Sequence, residues 1–364
     1  MKTVRMLFVL AIFAMPLPCA QASEPPTAKK LIEWGWDEPD TKFLRANIER
    51  MEQFPFDGVI FHATSDRGEN LAWEIWGERR FAIAQLQNAL SDLKATRFRR
   101  FTDRFLRTNA TPGTVDWFDD AAWKIVAQNF GAAAELVKEA GCTGLMFDNE
   151  QYQQQVFDYR KQKHRAQKSF AEYSTKVRQR GHEWMQEVAG HYPDVTILLT
   201  FGYVITRPGA GEKDRSESDY GLWADFLDGM FSACAPKTRI VDAFENSYGY
   251  RRADQFERAY RTIKEKSAAW SGEKEAFRRH VQAGFGIWMD NQWNKYGWNP
   301  TDFSKNYFKP EGFGESVRMA LRMSDEYVWI YTEKPRWWTR EQLPAAYVSA
   351  LEAARKNFAS PANN

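Results

Sequence analysis

Thr143-Gly144-Leu145-Met146-Phe147-Asp148-Asn149-Glu150 is the stretch that decides the fold. Apolar residues run straight into two carboxylates, with no turn residue between them. Such a run reads as a buried strand whose acids emerge at its C-terminal end. Side chains alternate along a strand, so Asp148 and Glu150 project to the same side, about 7 Å apart along the chain. At the mouth of a parallel barrel, two such carboxylates supply an acid and a charged partner. A strand end that only caps the next helix would use the same residues.

Outward from this strand the chain alternates strand and helix. Strands are expected at residues 31–36, 58–63, 99–106, 195–203, 239–244, 281–289 and 327–331, besides the one that carries the acids. Helices are expected between them, including 80–94 inside a long excursion after the second strand, 116–140, 161–188 and a closing helix at 341–356. Eight repeats of the unit predict an α/β fold, a single (β/α)8 TIM barrel spanning residues 23–364 with an extended excursion after strand 2. No Gly-rich phosphate loop follows the first strand, which places a doubly wound nucleotide fold second.

Residues 1–22 read as a signal peptide. Lys2 and Arg5 precede an apolar stretch at 7–15, too short to span a bilayer, and Ala20-Gln21-Ala22 offers a small-x-small cleavage pattern before Ser23. The expectation is an exported protein, periplasmic or extracellular, with no membrane span. Cleavage removes two of 50 basic residues and none of the 48 acidic ones, leaving a net charge near zero. That argues against a nucleic-acid partner, which calls for a basic excess. Cys142 and Cys234 remain, too few for a disulfide scaffold. The five histidines make no pair with metal-ligand spacing, so neither a metal nor a cofactor is expected.

Function in such a barrel gathers where strands meet the following loops. Those ends supply Trp34 and Trp36, His62, Asp148, Glu150 and Tyr152, Tyr203, Glu245, Asn246 and Tyr248, Trp288, Asp290 and Trp293, and Trp329 and Glu333. Sugars present C–H faces that stack on aromatic rings and hydroxyls that bond acids and amides. Glycosidic cleavage uses two carboxyl groups, one protonated and one ionised. The expectation is a mouth lined by acids and indoles that takes an oligo- or polysaccharide.

At this point the chain resembles barrel-fold glycoside hydrolases. Gly144 to Glu150 is similar to the chitinase-type motif, in which an Asp two residues before a Glu ends the fourth strand. The resemblance implies that Glu150 is the acid and that Asp148 orients the substrate. The motif's earlier Asp is absent, and Met146 stands in its place. Asn149-Glu150 also resembles the Asn-Glu pair of the large retaining-glycosidase clan, whose nucleophilic Glu ends the seventh strand. Here the acid at that place is Asp290. Each resemblance covers roughly ten residues and the barrel layout.

The expected roles are therefore Glu150 as acid, Asp148 as its tuner, and Glu245 as nucleophile or base, with Asp290 and Glu333 behind it. Each acid has a plainer alternative. Glu245 can pair with Arg251 or Arg252, Glu333 with Lys334 or Arg336, and Asp290 can cap a turn. Trp73 and Trp76 in the excursion suit either a lid or packing on the barrel. Two other function classes fit the same residues. One is a carbohydrate-binding barrel that does not hydrolyse. The other is a metal-dependent phosphodiesterase or lyase using Asp148, Glu150 and Glu245 as oxygen ligands.

Overall fold

The computed structural model describes residues 28–356 and Phe358. The expected leader, residues 1–22, and its cleavage site lie outside them. The (β/α)8 barrel is the observed fold. Its strands are β1 (Lys30–Gly35), β2 (Gly58–Phe61), β3 (Asp103–Asn109), β4 (Gly144–Asp148), β5 (Thr196–Leu199), β6 (Arg239–Asp242), β7 (Val281–Ala283), β8 (Phe285–Trp288) and β9 (Tyr327–Thr332). All pair in parallel, in the order β7-β6-β5-β4-β3-β2-β1-β9-β8.

Nine segments still make eight barrel strands. β7 and β8 are two halves of the expected seventh strand, parted by Gly284. β7 pairs with β6 on one side, and β8 with β9 on the other, so the sheet closes through this one strand. A Cβ at Gly284 would sit 2.9 Å from the Tyr327 carbonyl oxygen and 3.0 Å from a Val241 methyl, so the crossing accepts only glycine.

Helices surround the barrel: α1 (Thr41–Met51), α2 (Leu71–Glu74) and α3 (Gln87–Ala95) in the first two units, then α4 (Asp120–Glu139), α5 (Phe170–His191) and α6 (Trp223–Ser232). α7 (Ala253–Arg261) runs through a π turn into α8 (Ala268–Trp270), followed by α9 (Lys274–His280), α10 (Pro310–Met323) and α11 (Ala345–Arg355). Local chemistry sets their ends. The Asp119 carboxylate caps α4 by accepting from Ala122 N, and Gly141 follows it at φ +66°. Ser169 and Glu172 form a capping box that starts α5, nine residues later than 161–188 suggests.

The third strand also starts later than expected. The backbone N–H groups of Arg99, Arg100 and Phe101 all donate to Glu52 Oε1 at 2.8–2.9 Å, which ties them into a loop and moves the strand to 103–109. The shift carries Arg107 into the strand.

Alternation sorts the core into two layers. Ile32, Trp34, Ile60, Phe105, Met146, Leu198, Val241, Tyr327 and Trp329 fill the barrel, while a larger cluster joins the barrel wall to the helices. Burying each such side chain contributes about 1.5–3 kcal/mol. Trp76 belongs to the outer layer, fully buried and packed 5.3 Å from Trp123. Glu33 also points into that layer, with both carboxylate oxygens buried and without a hydrogen-bond partner. Burial and the neighbouring Asp37 push its carboxyl well above the usual range. Cys142 and Cys234 are free thiols, the first buried. Among the described residues no helix is long and apolar enough to cross a membrane.

Candidate active site

A cleft of about 760 Å³ opens at the C-terminal ends of the strands. Trp34, Trp36, His62, Glu150, Tyr152, Glu245, Tyr248, Trp288, Trp293 and Glu333 line it. These come from strands far apart in the chain, brought to one rim by closure of the barrel.

The fourth strand sets its floor. Asp148 is fully buried, and its Oδ2 accepts from Arg107 at 3.0 Å and from the Tyr152 hydroxyl at 2.9 Å. The same Tyr152 hydroxyl contacts the Glu150 carboxyl, and the two acids share its one proton. Arg107 reaches on to Glu38 at 3.6 Å. Glu38 in turn accepts from the Trp34 indole at 2.7 Å and lies 3.0 Å from His62 Nδ1. A continuous polar chain therefore joins the first four strands: His62, Glu38, Arg107, Asp148, Tyr152, Glu150. Burial alone would lower the Arg107 pKa, but Glu38 and Asp148 more than offset it and hold the guanidinium charged.

Glu245 enters from the other side of the mouth. Phe244, just before it, is left-handed at φ +39°, a strained state for a bulky residue. Three bonds over-determine that bend. Asp242 Oδ1 accepts from Phe244 N and Gly202 N, each at 3.2 Å, and Glu245 N donates to the Thr200 carbonyl at 3.1 Å. The turn throws Glu245 into the cleft, where its carboxyl accepts no hydrogen bond from any described residue. Neither Arg251 nor Arg252 pairs with it: Arg251 lies over Tyr307, and Arg252 bonds Asp254.

The three acids titrate as a set. Burial pushes Glu150 to about 7, helped by the Asp148 charge and opposed by the Tyr152 hydroxyl and Arg107. Burial pushes Glu245 further, to about 9, with Glu150 and Asp148 adding to it. Asp148 is also raised by burial, with Arg107 opposing. Glu245 is raised further than Glu150 by deeper burial, with no donor to oppose it.

Aromatic rings make the walls. Trp34 leans on Trp329 at 5.0 Å, and Tyr248 stacks on Tyr331 at 5.3 Å and 14°. Trp36 and Trp293 stand 60% and 62% exposed at the rim. Trp293 packs close on Gly249, where a Cβ would sit 2.4 Å from the indole.

Other expected residues fall elsewhere. Trp329 is buried in the barrel, its indole donating to the Ala243 carbonyl at 2.7 Å; Gly286 opposite leaves it the room. Asp290 is buried as a brace, accepting from Trp288 Nε1 and from the backbone of Glu333 and Lys334. Tyr203 turns outward, its hydroxyl 3.4 Å from Asp228. Asn246 is exposed outside the cleft. Asn149 faces away as well: its amide exchanges bonds of 3.0 and 3.1 Å with the Phe201 backbone and so pins the end of β5. Tyr331, expected at the end of the eighth strand, lines the cleft, and so do Trp73 and, beyond the expected set, Glu38, Asn70 and Arg107. Trp73 packs 5.4 Å from Tyr152 and 5.0 Å from the Arg107 guanidinium, as part of the wall. Arg107 was findable as a charge on the inward side of an apolar strand, once that strand is placed at 103–109. Among the described residues no group of three or more His, Cys, Asp or Glu is arranged to hold a metal ion.

No protein-family profile matches the chain, and no curated protein matches it. Solved structures similar to it include a sugar phosphate isomerase/epimerase from Parabacteroides distasonis (10% identity, 94% of this chain and 100% of that one, TM-score 0.44). They also include a broad-specificity GH5 endoglucanase from Clostridium longisporum (10% identity, 86% of each chain, TM-score 0.47) and endonuclease IV from Thermus thermophilus (11%, 89% and 99%, 0.41).

Proposed function

We propose that the chain is a glycoside hydrolase working by carboxylate acid/base catalysis. The observation that carries this reading is the cleft itself. Two carboxyls held at different proton affinities face one aromatic-walled cavity, the pairing that glycosidic cleavage uses. The order of protonation reverses the roles that the motif resemblance implies. Glu245, without a donor and raised above Glu150, is the acid that protonates the leaving oxygen. Glu150, with a hydroxyl donor and a nearby guanidinium, ionises first and acts as nucleophile or base. Asp148, Tyr152 and Arg107 position it. Trp34, Trp36, Trp288 and Trp293 are the stacking surfaces for sugar rings. His62 bonds Glu38 and completes the floor.

Leaving-group dependence tests the assignment. Glu245→Gln is expected to lose most activity on unactivated oligosaccharides yet keep much of it on nitrophenyl glycosides, whose leaving group needs no proton. Full activity of this variant on both would remove Glu245 from the mechanism. A protein that binds glycans but releases no sugar under any condition would support the carbohydrate-binding alternative instead.

A further inference from the structure

The charges facing the cleft are lopsided. Two cations line it, Arg107 and His62, and both are already engaged: Arg107 by Glu38 and Asp148, His62 by Glu38. Lys334 lies over the outer Trp36 ring at 5.8 Å and acts on Glu333 from the rim, and Arg336 acts on Glu33, Asp37 and Glu333 from behind the wall. The groups left to meet a ligand are Glu150, Glu245 and Glu333. Of these, Glu150 and Glu333 each accept from one neutral donor, the Tyr152 hydroxyl and the Gln292 amide, and Glu245 from none. The rest of the wall is π face: Trp34, Trp36, Trp288, Trp293, Tyr248 and Tyr331. Rings and carboxyls, with no free cation among the described lining residues, are the surroundings an ammonium prefers, through cation–π attraction and charge-assisted hydrogen bonds. The same surroundings repel a uronate.

Resting on the hydrolase reading of this site, we propose that its substrate is an amino sugar polymer with free amines, and that uronic acid chains are excluded. An arriving R–NH3+ pairs with Glu333, an acid that the mechanism does not use, and Glu245 keeps the proton that cleavage needs.

Titration of the intact protein at pH 6.5 tests this. Glucosamine tetramer, its N-acetylated counterpart, cellotetraose and tetragalacturonate are compared by fluorescence quenching in the cold and by calorimetry. The glucosamine tetramer should bind at least about tenfold tighter than cellotetraose. That advantage should shrink as salt rises from low to high. Glu333→Gln should weaken it several-fold more than it weakens cellotetraose. Equal or tighter binding of cellotetraose or tetragalacturonate overturns the proposal. Binding and cleavage fail separately. A glucosamine chain bound but never cut upholds the charge selection and defeats the hydrolase reading. Cellotetraose cut without any amine preference does the reverse.

Discussion

The two ends of the barrel treat acids in opposite ways. At the N-terminal end three buried acids meet cations. Asp103 pairs with Lys30 at 2.9 Å, Glu326 with Arg239 at 2.6 Å, and Asp57 with Arg355. Tyr327 adds a hydroxyl to Asp103 at 2.9 Å, closing the floor of the barrel. At the C-terminal end Arg107 takes Asp148 and Glu38, while Glu150 and Glu245 meet no cation within ion-pair distance among the described residues. Neutralised acids hold a structure in place. Uncompensated ones cost stability and persist where a ligand or a reaction uses them.

Removing an acid from the open end should produce the largest effect. Glu150→Gln is expected to lower turnover about 10²- to 10⁴-fold while the folded protein and its glycan binding persist. Unchanged turnover would place the chemistry elsewhere. The pH profile sharpens the contrast further. The base must be ionised, so kcat/KM should rise through about 7 as Glu150 loses its proton. The acid must be protonated, so it should fall through about 9 as Glu245 loses its own. The Asp148 charge raises both, so Asp148→Asn should move both limbs to lower pH. Arg107 opposes only the Glu150 rise, so Arg107→Met should move the lower limb upward and leave the upper one in place. A single optimum near pH 5 in the parent protein would contradict the assignment.

The closed end should respond in stability alone. Arg239→Met strands Glu326 and should cost about 1–3 kcal/mol, the pair being partly exposed, with kcat per folded molecule unchanged. Denaturant titration beside an activity assay reads both. The smallest effect belongs to Glu33, an acid at neither end. Its folded pKa lies above its unfolded one, so the stability it contributes is full below about 4.5 and is lost as pH rises. Glu33→Gln should match the parent at pH 4 and melt about 2–4 °C higher at pH 8. A variant that melts lower at pH 8 would mean that the ionised carboxyl has a partner.

The same contrast explains what the sequence disclosed. Asp148 and Glu150 were legible because strand alternation and an abrupt apolar-to-acid boundary are local. Glu245 was legible as an acid at a strand end, though its proton affinity depends on Glu150 and Asp148 across the mouth. Arg107 was hidden because Glu52, about fifty residues earlier, captures the backbone of 99–101 and resets where the third strand begins. Trp329 and Asp290 looked like site residues from their strand-end positions. Gly286 facing Trp329, and the backbone of 333–334 facing Asp290, turn them into core and brace. Such pairings across the barrel leave no trace in a local window.

Gly284 divides the hoop of hydrogen bonds into two spans that share a single residue. On one side hangs the ladder that carries Glu245; on the other, the ladder that carries Trp288 and the loop to Trp293. Sliding one span past the other at this joint would change the gap between the proton donor and the indole wall without disturbing either ladder. The joint is thus a place where a one-residue insertion could widen or narrow the mouth to suit a different sugar. Amide hydrogens on 281–288 should exchange faster than those on 144–148 if the joint breathes.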